Sequence, residues 1–236
     1  MGWSWFDIHW CWIGLAISAA LLTLLFGTNI FRGNIGISRW RDPLWLAWLA
    51  PASYMLHQFE EYGIDAQGVR FAFPDVLCGS VGMPPYPACS LPEAVFVAIN
   101  IPVIWVAGLA CALLARRHPF VGLGLYAIHF TNALSHIGVA VASGYNPGAV
   151  TATLIQLPLS LWVGYACFGP GRIIRWGAAI IVAAGAAFTV ILLVSVNMFA
   201  KGMIGASMLV IVQILNASLV VLVPWVSARW VMQPVR

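Results

Sequence analysis

Apolar runs recur along almost the whole of this chain, separated by short breaks that carry Arg, Gly or Pro. Each run has about twenty residues, the length of helix that crosses a bilayer core about 30 Å thick. A soluble domain has nowhere to bury so many of them. With 62% of the 236 residues apolar and 8% charged, and a mean hydropathy of +0.93, there is too little polar surface to wrap an ordinary soluble core. The expectation is an all-α polytopic membrane helix bundle of about seven transmembrane helices. It forms one domain over residues 1–236, with an extracytoplasmic loop at about 62–92.

Apolar length sets the expected spans at Trp10–Phe31, Pro43–Glu61, Glu93–Ala115, Pro119–Ser143, Pro147–Phe168, Ile173–Phe199 and Met203–Trp225. Pro43, Pro92, Pro119 and Pro147 fall at or near first-turn positions, where a missing N–H costs nothing. Pro51, Pro102, Pro158 and Pro224 fall within or late in spans and are expected to kink them. The first run lacks the basic n-region and small-residue cleavage site of a signal peptide and is read as a mature helix.

Charge gives orientation. Arg32, Arg39, Arg41, Arg116, Arg117, Arg172, Arg175, Arg229 and Arg236 fall on one side of the alternating spans, nine of the eleven basic residues, leaving Arg70 and Lys201 opposite. By the positive-inside rule the N-terminus lies outside and the C-terminus in the cytoplasm, in a plasma or inner membrane. Dispersed in short loops, these residues form no stripe for nucleic acid. Cys78 and Cys89 then stand in the outer loop, where an oxidising compartment favours a disulfide, while Cys11, Cys111 and Cys167 read as helix filler.

Ionisable groups inside a membrane are expensive, and here they cluster. His57, Glu60 and Glu61 share one helix face by their three- and four-residue spacing, and His129, Asn132 and His136 share another. Matching depth brings His57 and His136 level, with His129 about two turns deeper. Asn100, Thr151, Thr153 and Gln156 lie at a similar level on two further spans. Asn100, Asn132 and Gln156 also have the chemistry of interhelical hydrogen-bond glue, the reading given to Gln213 and Asn216. Glu61 suits either this layer or a headgroup-solvated helix end. Two histidines and a carboxylate at one depth suit a divalent metal, zinc first and iron second, with His57, Glu60, His136 and His129 as candidate ligands. Glu60, Glu61, Asn132, Asn100 and Tyr145 are the candidate catalytic groups. Without metal, the same set is an acid/base pair.

His57-Gln58-Phe59-Glu60-Glu61, Asn132-Ala133-Leu134-Ser135-His136 and Tyr145-Asn146-Pro147-Gly148, in this order, resemble the successive motifs of the HXXEE family of membrane proteins. The resemblance spans about half the chain and implies that these residues belong together; it carries no activity. Topology puts the Tyr-x-Pro-Gly turn over the layer holding His136, so the next helix would begin beside the site and offer its dipole to an anion.

The leading functional expectation is a membrane-embedded, metal-dependent enzyme of hydrolase type, acting on a lipidic or apolar small molecule from the outer leaflet. A non-haem iron oxygenase or desaturase needs the same ligand types, but the chain has no repeated histidine boxes. A metal-free isomerase or terpenoid cyclase would use Glu60 with His57 or His136. A proton- or metal-coupled transporter would need polarity through the full thickness, which the sequence lacks. Beyond the lipid bilayer no partner or oligomeric state is legible.

Overall fold

A computed structural model of the chain describes residues 4–168 and 177–231. Arg172, Arg175, Arg236 and the start of the span expected at Ile173 lie outside the described residues. The described residues form helices α1 (Trp5–Gly27), α2 (Pro43–Tyr62), α3 (Phe73–Ser80), α4 (Glu93–Leu114), α5 (Pro119–Ser143), α6 (Ala149–Cys167), α7 (Gly177–Ala200) and α8 (Ala206–Trp230). Six of these, α1 and α4 to α8, are long and apolar enough to cross a membrane. The peripheral helices are apolar all round although only 28% of the most apolar window of α1, 33% of that of α7 and 28% of that of α8 is buried. Such surfaces are stable against lipid and not against water, so the chain is a membrane protein.

The remaining long helix, α2, is the polar one, and the bundle is built around it. Sixteen of its twenty residues are buried, packed against α1, α4, α5 and α6. Asp42 starts it, its carboxylate accepting from the Leu44 and Trp45 amides while Arg32 pairs with it at 3.4 Å. The opposite side of the core is apolar: Leu46, Leu49, Ile104, Leu123 and Leu125 fill the bundle between α2, α4 and α5.

Boundaries differ from the expected ones for identifiable reasons. Helix α1 begins at Trp5 instead of Trp10 because Ser4 and Asp7 form a reciprocal capping box. Pro102 and Pro158 each remove an N–H from the helical ladder, and the backbone widens beside them into π-helical stretches at Ile101–Ala107 and Ala152–Gln156. The loop expected at about 62–92 contains α3, and a Cys78–Cys89 disulfide closes it. Helices α5 and α7 run parallel and touch at Gly185, where a Cβ would lie 2.3 Å from the Ala127 carbonyl oxygen; only glycine permits that approach. On the α8 side, Asn216 donates to the Phe188 carbonyl and Gln213 to Ser195, tying α8 to α7 as interhelical glue.

Candidate functional site

Three helix ends meet at the α3 side of the bundle. The last turns of α2 carry His57, Glu60 and Glu61; the second half of α5 carries Asn132 and His136; α6 begins there after the turn at Tyr145 to Gly148. His57, Glu60, Glu61 and His136 are all buried.

Hydrogen-bond logic fixes which nitrogen of each imidazole carries its proton. Asn146 Nδ2 donates to the His136 carbonyl at 3.0 Å, so Asn146 Oδ1 faces His136 Nδ1 at 2.6 Å and accepts from it. Thr151 Oγ1 gives its only proton to Glu60 Oε2 at 2.5 Å, so it accepts from His57 Nδ1 at 2.8 Å. With both Nδ1 protons committed, both neutral rings present a bare Nε2. Those two lone pairs converge on one carboxylate oxygen, Glu61 Oε1, at 3.4 Å from His57 and 3.2 Å from His136. The candidate ligand atoms of His57, Glu61 and His136 lie within 4.8 Å of one another. Asn132 Nδ2 lies 2.7 Å from His57 Nε2, so the pair left with acceptor against acceptor is His136 Nε2 and Glu61 Oε1, which calls for a proton or a cation between them. Neighbouring ligand atoms on a tetrahedral zinc stand about 3.3 Å apart, given bonds of about 2.0–2.1 Å.

The two glutamates divide differently from the expectation that Glu60 joins the histidines. Glu61, four residues after His57, faces the imidazoles. Glu60 turns to the start of α6 and accepts from Val150 N at 3.1 Å, Thr151 N at 2.7 Å, Thr151 Oγ1 and, at 3.3 Å, the Tyr145 hydroxyl. The helix N-terminus expected to be open to an external anion is thus taken by the protein's own carboxylate. Tyr145 also accepts from the Ala66 amide at 2.9 Å, and burial together with nearby Glu60 and Asp65 pushes its pKa up to about 12, so it stays a donor.

His129, a candidate ligand, stands apart from this group. It bonds Ser53 Oγ at 3.0 Å and the Leu125 carbonyl at 3.2 Å, one turn of α2 away from His57. Asn132 Nδ2 contacts His57 Nε2 at 2.7 Å and Gln156 Oε1 at 3.3 Å. Asn100 accepts from Gln58 at 3.1 Å and donates to the Phe96 carbonyl. Thr151 of the expected polar layer and Asn146 and Gly148 of the Tyr145–Gly148 turn join the histidines, with roles that spacing alone does not give. Gly148 has φ +93, and a Cβ there would come within 2.8 Å of His136 Cε1, so the turn lies directly on the histidines. The Tyr-x-Pro-Gly motif is the signal for Asn146 and Gly148, and matching depth is the signal for Thr151.

Beside these groups lies a cavity of about 280 Å³. Glu61, Asn100, Asn132, His136 and Asn146 border its polar end. Phe188, Leu192 and Leu193 of α7, Val139 of α5, and Phe73 and Leu77 of α3 make the rest apolar. Thr131, Ser135 and Val139 of α5 and Thr189 and Leu193 of α7 also line it, and Ser135, Val139 and Leu193 are exposed.

No curated protein and no solved structure matches the chain. A family model described as a protein of unknown function with HXXEE motif matches residues 48–163, a stretch that contains His57, Glu60, Glu61, His136 and the turn that covers them. The chain belongs to the HXXEE family.

Proposed function

We propose that this chain is a membrane-embedded, metal-dependent enzyme of hydrolase type. His57 Nε2, His136 Nε2 and the Glu61 carboxylate hold a divalent cation, zinc before iron, and a lipidic ester or amide is the substrate. One observation carries the reading: both Nδ1 protons are committed to Thr151 and Asn146, so two lone pairs and a carboxylate oxygen converge. Hydrogen bonds on the distal nitrogen are how proteins orient metal-binding histidines. Glu60 is a positioning residue here, acting on His57 through Thr151.

Held by His57, His136 and Glu61, zinc would supply a water of lowered pKa, about 7, as the nucleophile. The second oxygen of the Glu61 carboxylate would take that water's proton and pass it to the departing alcohol or amine as the carbonyl carbon gains the water oxygen. Asn132 borders both His57 and the cavity; with the His57 lone pair given to the cation, the amide proton now facing it would be the donor for the developing oxyanion. The exposed cavity-lining residues Ser135 and Val139 of α5 and Leu193 of α7 support a substrate that arrives through the bilayer. A cavity of about 280 Å³ seats the reacting centre and leaves an acyl chain in the cleft. The disulfide at the site's end and the arginines at the other support an extracytoplasmic site in a plasma or inner membrane, with the N-terminus outside. The apolar core beneath the site supports a pocket over a transport path.

Metal-free acid/base chemistry has one observation in its favour: Asn132 Nδ2 already satisfies the His57 lone pair at 2.7 Å. Elemental analysis of detergent-purified protein that has never met a chelator separates the two. About one zinc per chain, lost in His57→Ala, His136→Ala and Glu61→Gln, supports the hydrolase and directs a screen of lipid esters and amides. Iron redirects that screen to oxygen-dependent chemistry. Absence of metal, or metal retained in all three variants, overturns the metal reading in favour of acid/base isomerisation.

A further inference from the structure

At the opposite end of the bundle a second cavity, of about 430 Å³, opens beside the turn that follows α4. Phe31, Leu44, Trp48 and Leu113 give it apolar walls, and Arg116 and Arg117 stand at its edge. Phe31 and Trp48 stack with ring centroids 4.5 Å apart, forming a flat aromatic side. Leu113 is 63% exposed, so the groove faces the surroundings of the bundle and not its core.

The nearby charges are distributed unequally. Arg32 is bound to Asp42 and to the Asn34 and Ile37 carbonyls, and Arg39 donates to the Leu25 and Phe26 carbonyls. Asp42, the carboxylate at the start of α2, is fully used by Arg32 and by the Gly33, Asn34, Leu44 and Trp45 amides. Among the described residues, Arg116 and Arg117 make no ion pair and no side-chain hydrogen bond. Two adjacent guanidiniums without a protein anion, at the rim of an apolar groove, fit a molecule with an anionic head and a hydrocarbon tail.

We propose that this groove binds an anionic phospholipid, its phosphate between Arg116 and Arg117 and one acyl chain along Phe31, Trp48 and Leu113. The site is separate from the histidine cluster and does not depend on the chemistry proposed there. Charge complementarity selects the headgroup and the apolar walls require the chain, so free phosphate alone lacks most of the contact.

Native mass spectrometry of the full chain in mild detergent, titrated with phosphatidylglycerol, phosphatidylcholine or inorganic phosphate, tests the assignment. The expected result is one retained phosphatidylglycerol per chain, at least fivefold preferred over phosphatidylcholine. Arg116→Gln with Arg117→Gln should lower retention at least fivefold, and Arg116→Lys with Arg117→Lys should keep most of it. Arg70→Gln with Lys201→Gln removes the same charge at the other end and should leave retention unchanged. Equal retention of both lipids, equal loss in the two glutamine pairs, or displacement of phosphatidylglycerol by millimolar inorganic phosphate would overturn the proposal. An unchanged thermal midpoint in the double-glutamine variant establishes that the bundle is intact.

Discussion

Gly148 presses on His57: a Cβ at that glycine would stand 2.7 Å from His57 Cε1, with the backbone at φ +93. Alanine there costs about 1–2 kcal/mol for the left-handed backbone and displaces an imidazole as well. Gly148→Ala should therefore lower both the thermal midpoint and the metal content. Gly144→Ala is the matched control, because Gly144 has φ +88 and nothing within 4 Å of its Cβ position. It should lose stability alone. Equal metal loss in both variants would separate the turn from the site.

Thr151 links His57 to Glu60 through one hydroxyl. Replacing it with valine keeps the shape and removes the link, leaving His57 Nδ1 without its acceptor. Loss of such an outer contact costs 10–100-fold in metal affinity on the usual scale. Chelator competition should give a drop of about that size for Thr151→Val and recovery in Thr151→Ser.

Glu60→Gln and Glu61→Gln should fail in different ways. At position 60 the carboxylate accepts from two amides and two hydroxyls, and an amide group would turn donors toward donors. A loss of about 1.5–3 kcal/mol in unfolding free energy is expected, as for hydrogen bonds to a charged group. At position 61 the metal should be lost with a smaller change in metal-free stability. Denaturation of both proteins after metal removal, beside elemental analysis, distinguishes the roles; identical profiles would place both residues in one role.

The Cys78–Cys89 bridge closes a short loop and ties the last turn of α3, which lines the cavity, to the segment before α4. Cys78→Ser with Cys89→Ser should cost about 2–3 kcal/mol by loop-closure entropy. Hydrogen exchange should then quicken in Phe73–Ser80 while the core of α2 stays protected. Uniform acceleration through the bundle would mean that α3 is part of the global folding unit.

Much of the architecture was legible because bilayer-length apolar runs have few alternatives. The Asn132 and His136 stripe also followed from helical spacing, and α5 keeps both beside the site. Sequence spacing could not separate Glu60 from Glu61, since positions three and four after His57 share one face. The start of α6 decides between them, by offering its amides to Glu60 alone. His129 obeys the same stripe, yet Ser53 on α2 takes it first. Asn146 and Thr151 carry common polar side chains whose partners lie 10 and 94 residues away, a relation that no local pattern encodes. Helix α3 went unread because Ala72 at its start gives no capping signal.

Because Glu60 seals the first turn of α6, the adjacent glutamates of the motif are not free to vary in the same way. The Glu61 carboxylate pairs with the two imidazoles and takes none of the α6 amides, so another oxygen donor there alters the chemistry and leaves the scaffold standing. Position 60 is written jointly with Tyr145 and Thr151. Across divergent members of the lineage, substitutions at 60, 145 and 151 should arrive as a set, whereas 61 should follow the two histidines.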